Sequence, residues 1–174
     1  SNQLIAWGLN TYGQLGTGNT TALTEPTDIT SNFIVSGETL KTFSVTKSNV
    51  ISNRFTAVLS NEGTLTMSGF AGPGLFDVSI TENVLTPIDV TSRYQSVLSN
   101  NETIEKIDTN PLSLLVVTSE NKMFVNGRVR DERDRTFTFL EPTSIQEKLS
   151  IVRDKKVPLD IEKMFVISNG IVTI

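Results

Sequence analysis

The sequence predicts an all-β chain assembled from one repeated β-hairpin, and three observations carry the prediction. A turn residue is followed six positions later by glycine at Asn2 and Gly8, Gly63 and Gly69, and Asn121 and Gly127, and Gly170 stands at the same phase. The stretches flanking these turns are short and rich in Val, Ile, Leu, Thr and Phe, which suits pleated strands and is too short for helices. A second marker keeps step with the first: Pro26 follows Gly8 by 18 residues, Pro87 follows Gly69 by 18, and Pro142 follows Gly127 by 15. Two markers in register define a period, and a period of this length is the signature of a repeat architecture.

Taken in order, the turn positions 2, 63, 121 and 170 stand 61, 58 and 49 residues apart. They divide a single domain, 1–174, into repeats of about 2–62, 63–120 and 121–169, with the start of a fourth at 170–174. All four turn residues are Gly or Asn, which tolerate the left-handed backbone of a tight hairpin. Residues 55–60 lead through Asn61, Glu62 and Gly63 into 64–68; 114–118 lead through Ser119, Glu120 and Asn121 into 122–126; 164–167 lead through Ser168, Asn169 and Gly170 into 171–174. Proline fixes φ and donates no backbone hydrogen bond, so each proline belongs at the start or edge of a strand, here over 27–29 and 88–90. A further apolar stretch at 39–45, 103–107 and 157–161 predicts one more strand per repeat. The polar segments 31–38, 92–101 and 144–156 are expected as surface loops, with a short helical turn at 146–153.

Composition removes most chemistry. With no Cys and no His, the chain has no disulfide framework, cysteine nucleophile, imidazole base, or thiolate or imidazole metal ligand. A net charge of −4 and a pI near 4.9 argue against nucleic acid and anionic membranes, and no apolar run is long enough to span a bilayer. The glycine-rich run 13–18 lacks the Lys and Ser or Thr of a phosphate loop and reads as a structural turn. Glu141, Asp154, Lys155 and Lys156 read as ordinary surface charges, and the glycosylation-like triplets at Asn19 and Asn101 have no secretory context. The candidate partner-binding loop is Arg128, Arg130, Asp131, Glu132, Arg133 and Arg135, because guanidinium forks recognise carboxylate and phosphate. The alternative is a solvated loop whose charges pair internally. No catalytic constellation, cofactor site or small-molecule site is evident, so the chain is expected not to be an enzyme.

The first repeat carries a sharper pattern. Ala6, Trp7, Gly8, Asn10, Tyr12, Gly13, Gln14, Leu15, Gly16 and Gly18, followed by Glu25, Pro26 and Thr27, resemble the repeat of the regulator of chromosome condensation family. That resemblance implies a β-propeller of blades with four antiparallel strands each, with Trp7 as a large core anchor between blades and glycines where a tight loop approaches neighbouring backbone. Later repeats depart from it: Met67 and Ser68 precede Gly69, the run Gly72, Pro73, Gly74, Leu75, Phe76 is a loose relative of the loop, and the third repeat keeps Gly127 and Pro142. Phe55 and Leu114 stand where the family commonly places a histidine.

The chain begins and ends on the outgoing arm of a hairpin. Duplicate phase predicts an arc of about three propeller blades, completed by neighbouring repeats or another subunit, because an arc exposes strand edges. The expected function is a non-enzymatic protein-interaction or structural scaffold module, in the cytoplasm or in a viral or microbial particle. Guanine nucleotide exchange on a small GTPase, implied by the resemblance, is the alternative, and carbohydrate binding is a third.

Overall fold

The computed structural model describes residues 2–46, 54–70, 75–76, 79–130, 136–145, 164–167 and 170–173. The first strand pair is β1 (Ile5–Gly8) and β2 (Leu23–Asp28), followed by one helical turn, α1 (Thr30–Phe33). A four-stranded antiparallel sheet follows: β3 (Leu40–Val45), β4 (Arg54–Ser60), β5 (Leu65–Phe70) and β6 (Val84–Asp89). After α2 (Thr91–Gln95), a second such sheet holds β7 (Ile104–Asn110), β8 (Ser113–Thr118), β9 (Met123–Arg130) and β10 (Thr136–Ser144). A last pair joins β11 (Met164–Ile167) to β12 (Gly170–Thr173). Both four-stranded sheets are meanders in chain order, so the molecule is two complete propeller blades between two half-blades, the all-β arc expected from the sequence.

Strand register identifies the first half-blade. In β1 and β2, Ile5 pairs with Asp28, Ala6 with Thr27 and Gly8 with Leu23; in β5 and β6, Thr66 pairs with Asp89, Met67 with Ile88 and Gly69 with Val84. Each ladder slips just before its glycine, and Gly8, Gly69 and Gly127 have φ of +104°, +112° and +102°. These are bulge glycines, which explains the fixed phase of the marker. At Gly69 a Cβ would lie 2.3 Å from the Arg54 carbonyl oxygen, so no other residue fits there. The pair β1 and β2 therefore holds the third and fourth positions of a blade. Pro26, Pro87 and Pro142 fall within β2, β6 and β10, each the last strand of its unit, where the missing N–H faces no ladder partner. These strands begin upstream of the expected 27–29 and 88–90.

The central strands of each complete blade are buried on both faces. Phe55, Ala57, Leu59, Leu65 and Met67 meet Ile104, Ile107, Leu114 and Val116 of the next blade, with Leu75 and Phe76 sealing the edge. On the other face, Val58 and Leu40 meet Leu4, Ile29 and Phe33 of the first half-blade. Leu115, Met123, Val125 and Ile145 form a third cluster. This double burial is why β8 reads as a nearly continuous apolar run, and why Thr56, Thr66 and Ser68, the polar residues within β4 and β5, are buried as well.

The structure corrects the sequence reading at three places. Trp7, expected as a core anchor, is 62% exposed, because it points from β1 on the side opposite Leu4 and Ala6. The inter-blade anchors are instead Phe33 and Tyr94, 2% and 1% exposed, in α1 and α2, segments expected as surface loops. Arg128 and Arg130, expected in a loop, lie in β9, paired with Thr138 and Thr136. The predicted strand at 157–161, the helical turn at 146–153, the loop residues Gly72, Pro73 and Gly74, and Asp154, Lys155 and Lys156 lie outside the described residues.

Candidate functional site

In a meander, successive connections leave from alternate ends. The 9–22 loop, the links from β3 to β4, β5 to β6, and β9 to β10, and the turn before β8 therefore share one end. The tight turns at 61–63 and 119–121 and both helical turns lie at the other. The first end gathers the longer connections of several repeats, including that of the Arg128 candidate. Of that candidate set, Asp131, Glu132, Arg133 and Arg135 lie outside the described residues, and the Arg128 N–H donates to the Leu112 carbonyl at 2.7 Å.

The 9–22 loop is built by two amides. Asn10, 1% exposed, donates from Nδ2 to Thr17 Oγ1 at 3.0 Å and to the Asn19 carbonyl at 2.8 Å, while its Oδ1 accepts the Leu15 N–H at 2.8 Å. Gln14 Oε1 accepts the Tyr12 N–H at 3.0 Å, and its Nε2 donates to the Leu9 carbonyl at 2.7 Å. The Tyr12 ring stacks against Phe70 at a centroid distance of 6.3 Å. A loop held this way needs no bound ligand to keep its shape.

Its glycines are set by the neighbouring blade. Gly13 has φ +77°, and a Cβ there would lie 2.8 Å from Leu85 Cα; Gly16 has φ +66°, with the Phe33 ring and Pro87 within 2.7 Å of the same virtual atom. The Gly18 N–H donates to the Leu85 carbonyl at 3.0 Å. Three hydroxyls on the facing strands complete the seam: Thr56 Oγ1 donates to the Gln14 carbonyl at 2.7 Å, Thr66 Oγ1 to the Phe33 carbonyl at 2.9 Å, and Ser68 Oγ to the Gly13 carbonyl. The loop is a blade-to-blade joint.

One motif of this joint escapes a reading based on the glycine and proline markers. Two residues after the proline, Asp28 Oδ1 accepts the Thr30 N–H at 2.9 Å and Asp89 Oδ1 the Thr91 N–H at 2.7 Å. The threonine hydroxyls then accept the N–H of Leu4 and of Leu65, each at 2.8 Å. Asp28, Ile29, Thr30 and Asp89, Val90, Thr91 are a third marker in step with the other two. Hydrogen bonds from Thr30 hold the Asp28 carboxyl below its usual range.

Among the described residues, two surfaces lack a partner: the outer side of the first half-blade, and the part of β3 that this half-blade leaves uncovered. Trp7 occupies the position of Ser68 and Asn126, both fully buried, yet is itself 62% exposed. Phe43 and Val45, which pair with Val58 and Thr56, are 50% and 45% exposed; their counterparts Ile107 and Thr109, which pair with Val116 and Leu114, are 8% and 7% exposed. Beside Trp7, Ile5 and Leu9 are 43% and 64% exposed. Within the blades, β3 and β7 lie side by side, joined by Lys41 Nζ to Glu105 at 2.7 Å and by Ser44 Oγ to Thr109 Oγ1 at 2.9 Å. No strand stands in that relation on the other side of β3 among the described residues, and β1 has one ladder partner where β5 has two.

At the opposite end, the Glu102 side chain is fully buried and accepts from Thr118 Oγ1, the Ser99 N–H at 2.8 Å and Lys122 Nζ at 3.0 Å. Burial pushes this carboxyl up, but the donors outweigh burial and hold it down at about 2. Glu120 at 2.8 Å, and then Glu102, push the Lys122 ammonium up. This is a structural network that ties two turns together. Among the described residues, no group of three acidic side chains gathers as a metal site.

Residues 1–41 match the family model of the regulator of chromosome condensation (RCC1) repeat. No curated protein matches the chain in sequence. Among solved structures it is similar to Prp20p from Saccharomyces cerevisiae, described for its binding to Gsp1p and histones, at 16% identity and a TM-score of 0.62 over 83% of this chain and 35% of that one. Human WBSCR16 matches at 16% identity and a TM-score of 0.61, covering 87% of this chain and 35% of its own. Yeast RCC1 (Prp20) bound to Kap60 matches at 15% identity and 0.63, covering 82% and 33%. The chain thus spans about a third of the length of the structures it matches. It carries a regulator of chromosome condensation repeat at residues 1–41 and has the fold of the β-propellers built from such repeats.

Proposed function

We propose that the chain is a non-enzymatic protein-interaction module whose first half-blade is completed by strands from neighbouring repeats or from another subunit. The carrying observation is the difference between equivalent positions: Phe43 and Val45 are half exposed where Ile107 and Thr109 are covered by the preceding blade. A strand laid along the open edge of β1 supplies the missing ladder partner, and a second strand beside β3 covers Phe43 and Val45. The end that bears the longer loops then offers one surface for a protein partner, with the Arg128 segment on it.

Trp7 is the chain's single tryptophan, so its emission reports the coverage of this edge directly. Sedimentation and acrylamide quenching across a concentration series, with and without flanking repeats, are the test. The expected result is association or intramolecular completion, with blue-shifted and protected Trp7 emission. A stable monomer whose Trp7 stays fully quenchable under all conditions refutes the reading. The nucleotide-exchange alternative is separated by an assay of nucleotide release from a small GTPase, in which no acceleration is expected.

A further inference from the structure

A cleft of about 190 Å³ opens beside the first-repeat loop, lined by Gln14, Val45, Thr46, Arg54, Phe55 and Thr56. Among the described residues, Arg54 is the single charged residue of the lining. Its register places it on the side of β4 that carries Thr56 and Val58, facing the first repeat, and its Nε is buried with no hydrogen-bond partner among the described residues. A buried guanidinium N–H without an acceptor is costly, more so than a neutral donor. Among the described residues, neighbouring groups do not relieve it. The Gln14 amide is spent inside its own loop, on the Tyr12 N–H and the Leu9 carbonyl, and the Thr56 hydroxyl donates to the Gln14 carbonyl. Thr46 Oγ1 accepts the Phe55 N–H at 3.2 Å, which leaves its own proton to donate into the cleft.

We infer that this cleft receives a carboxylate, an Asp or Glu side chain of the polypeptide that covers the open half-blade. Nε–H and one Nη–H of a guanidinium present two parallel donors matched to the two oxygens of a carboxylate. A phosphate, with about two negative charges, calls for more than one cationic group, and among the described residues the cleft lining holds one. Val45, 45% exposed, borders both the cleft and the uncovered face of β3, so a strand on Phe43 and Val45 carries an acidic side chain to Arg54 without leaving the sheet. The inference rests on the half-blade reading and adds to it the chemistry of the occupant: apolar toward β3, acidic at the loop end.

The test follows the Arg54 Nε–H resonance in the 174-residue chain, assigned by its disappearance in Arg54→Lys. The probes are acetate, inorganic phosphate, and the blocked peptide Ac-Val-Glu-Val-NH2 with its Gln twin. A saturable shift with acetate and with the Glu peptide is expected, with the Gln twin at least about tenfold weaker. Read from the backbone amide shifts of Thr46 and Phe55, which the variants keep, Arg54→Gln loses binding by about the same factor, and Arg54→Lys, which keeps the charge but not the fork, by less. Equal affinities for the Glu and Gln peptides, no saturable shift, or tighter binding of phosphate than of acetate overturns the inference. A partner that protects Trp7 while leaving the Arg54 resonance unmoved sinks it too and leaves the half-blade reading standing. Should Arg54→Gln fail to fold, the wild-type titration decides alone.

Discussion

Replacing Gly13 by alanine separates two costs that the structure places at one residue. The first is conformational: at φ +77° an L side chain is strained, by roughly 1–2 kcal/mol. The second is steric. The new Cβ lies 2.8 Å from Leu85 Cα and 3.2 Å from the Val84 carbonyl oxygen, both backbone atoms that yield only if β6 moves, and overpacking of this kind costs typically 1–3 kcal/mol. Gly63 supplies the control, since it has φ +94° and nothing within 4 Å of its virtual Cβ. Gly63→Ala is therefore expected to lose about 1–2 kcal/mol and Gly13→Ala about 2–5. Urea unfolding measures both; with a slope of about 2 kcal/mol/M, the midpoint of Gly13→Ala falls below that of Gly63→Ala by on the order of 1 M. Hydrogen exchange adds a local readout, because the Gly18 N–H that donates to the Leu85 carbonyl loses protection in Gly13→Ala alone. If the two variants unfold at the same urea concentration, the loop does not press on the next blade, and the account of the joint is wrong.

Other variants probe other parts of the frame. Trp7→Ala is expected to cost at most about 2 kcal/mol in the chain by itself, below the roughly 3–5 of a buried aromatic, because the ring is 62% exposed; chemical denaturation checks it. Tyr94 is buried and its hydroxyl has no partner among the described residues, so Tyr94→Phe is expected to leave stability unchanged or raise it by about 1 kcal/mol in the same assay. Glu102 titrates lower in the fold than its usual 4.5, so its contribution is fully present above pH 4.5 and is lost as pH falls through about 2. The shift is worth at most about 3 kcal/mol, and water at the Lys122 end screens this to about 1–2. Melting temperatures of Glu102→Gln and the parent chain are expected to differ at pH 7 and converge near pH 2. A gap that persists there contradicts the network.

The repeat was legible because its markers have local causes. A bulge glycine needs a positive φ and a close backbone approach whatever surrounds it, and a proline cannot sit in the middle of a sheet, so Gly69 and Pro87 announce their strands in one dimension. The hairpins at 61–63 and 119–121 follow from the same kind of turn chemistry. The short helical turns were not legible as core, since a polar segment with one aromatic looks like a loop until the blade above it closes on Phe33 or Tyr94. Asp28 and Asp89 were visible in the sequence, but their function is to accept a backbone N–H two residues on, which no periodicity reveals.

Trp7 and Arg54 mark the limit from the other side. By itself, the sequence determined an all-β repeat, the phase of its blades and the loop glycines, because backbone conformation is written in local residue types. Only the tertiary structure decided which side of each strand is covered. Trp7, Phe43 and Val45 have the composition of core, yet they stand in solvent because burial belongs to the neighbouring blade and not to the residue. Arg54 has the composition of surface, yet its Nε is enclosed, because the first-repeat loop folds over the next blade and leaves a cleft beside it.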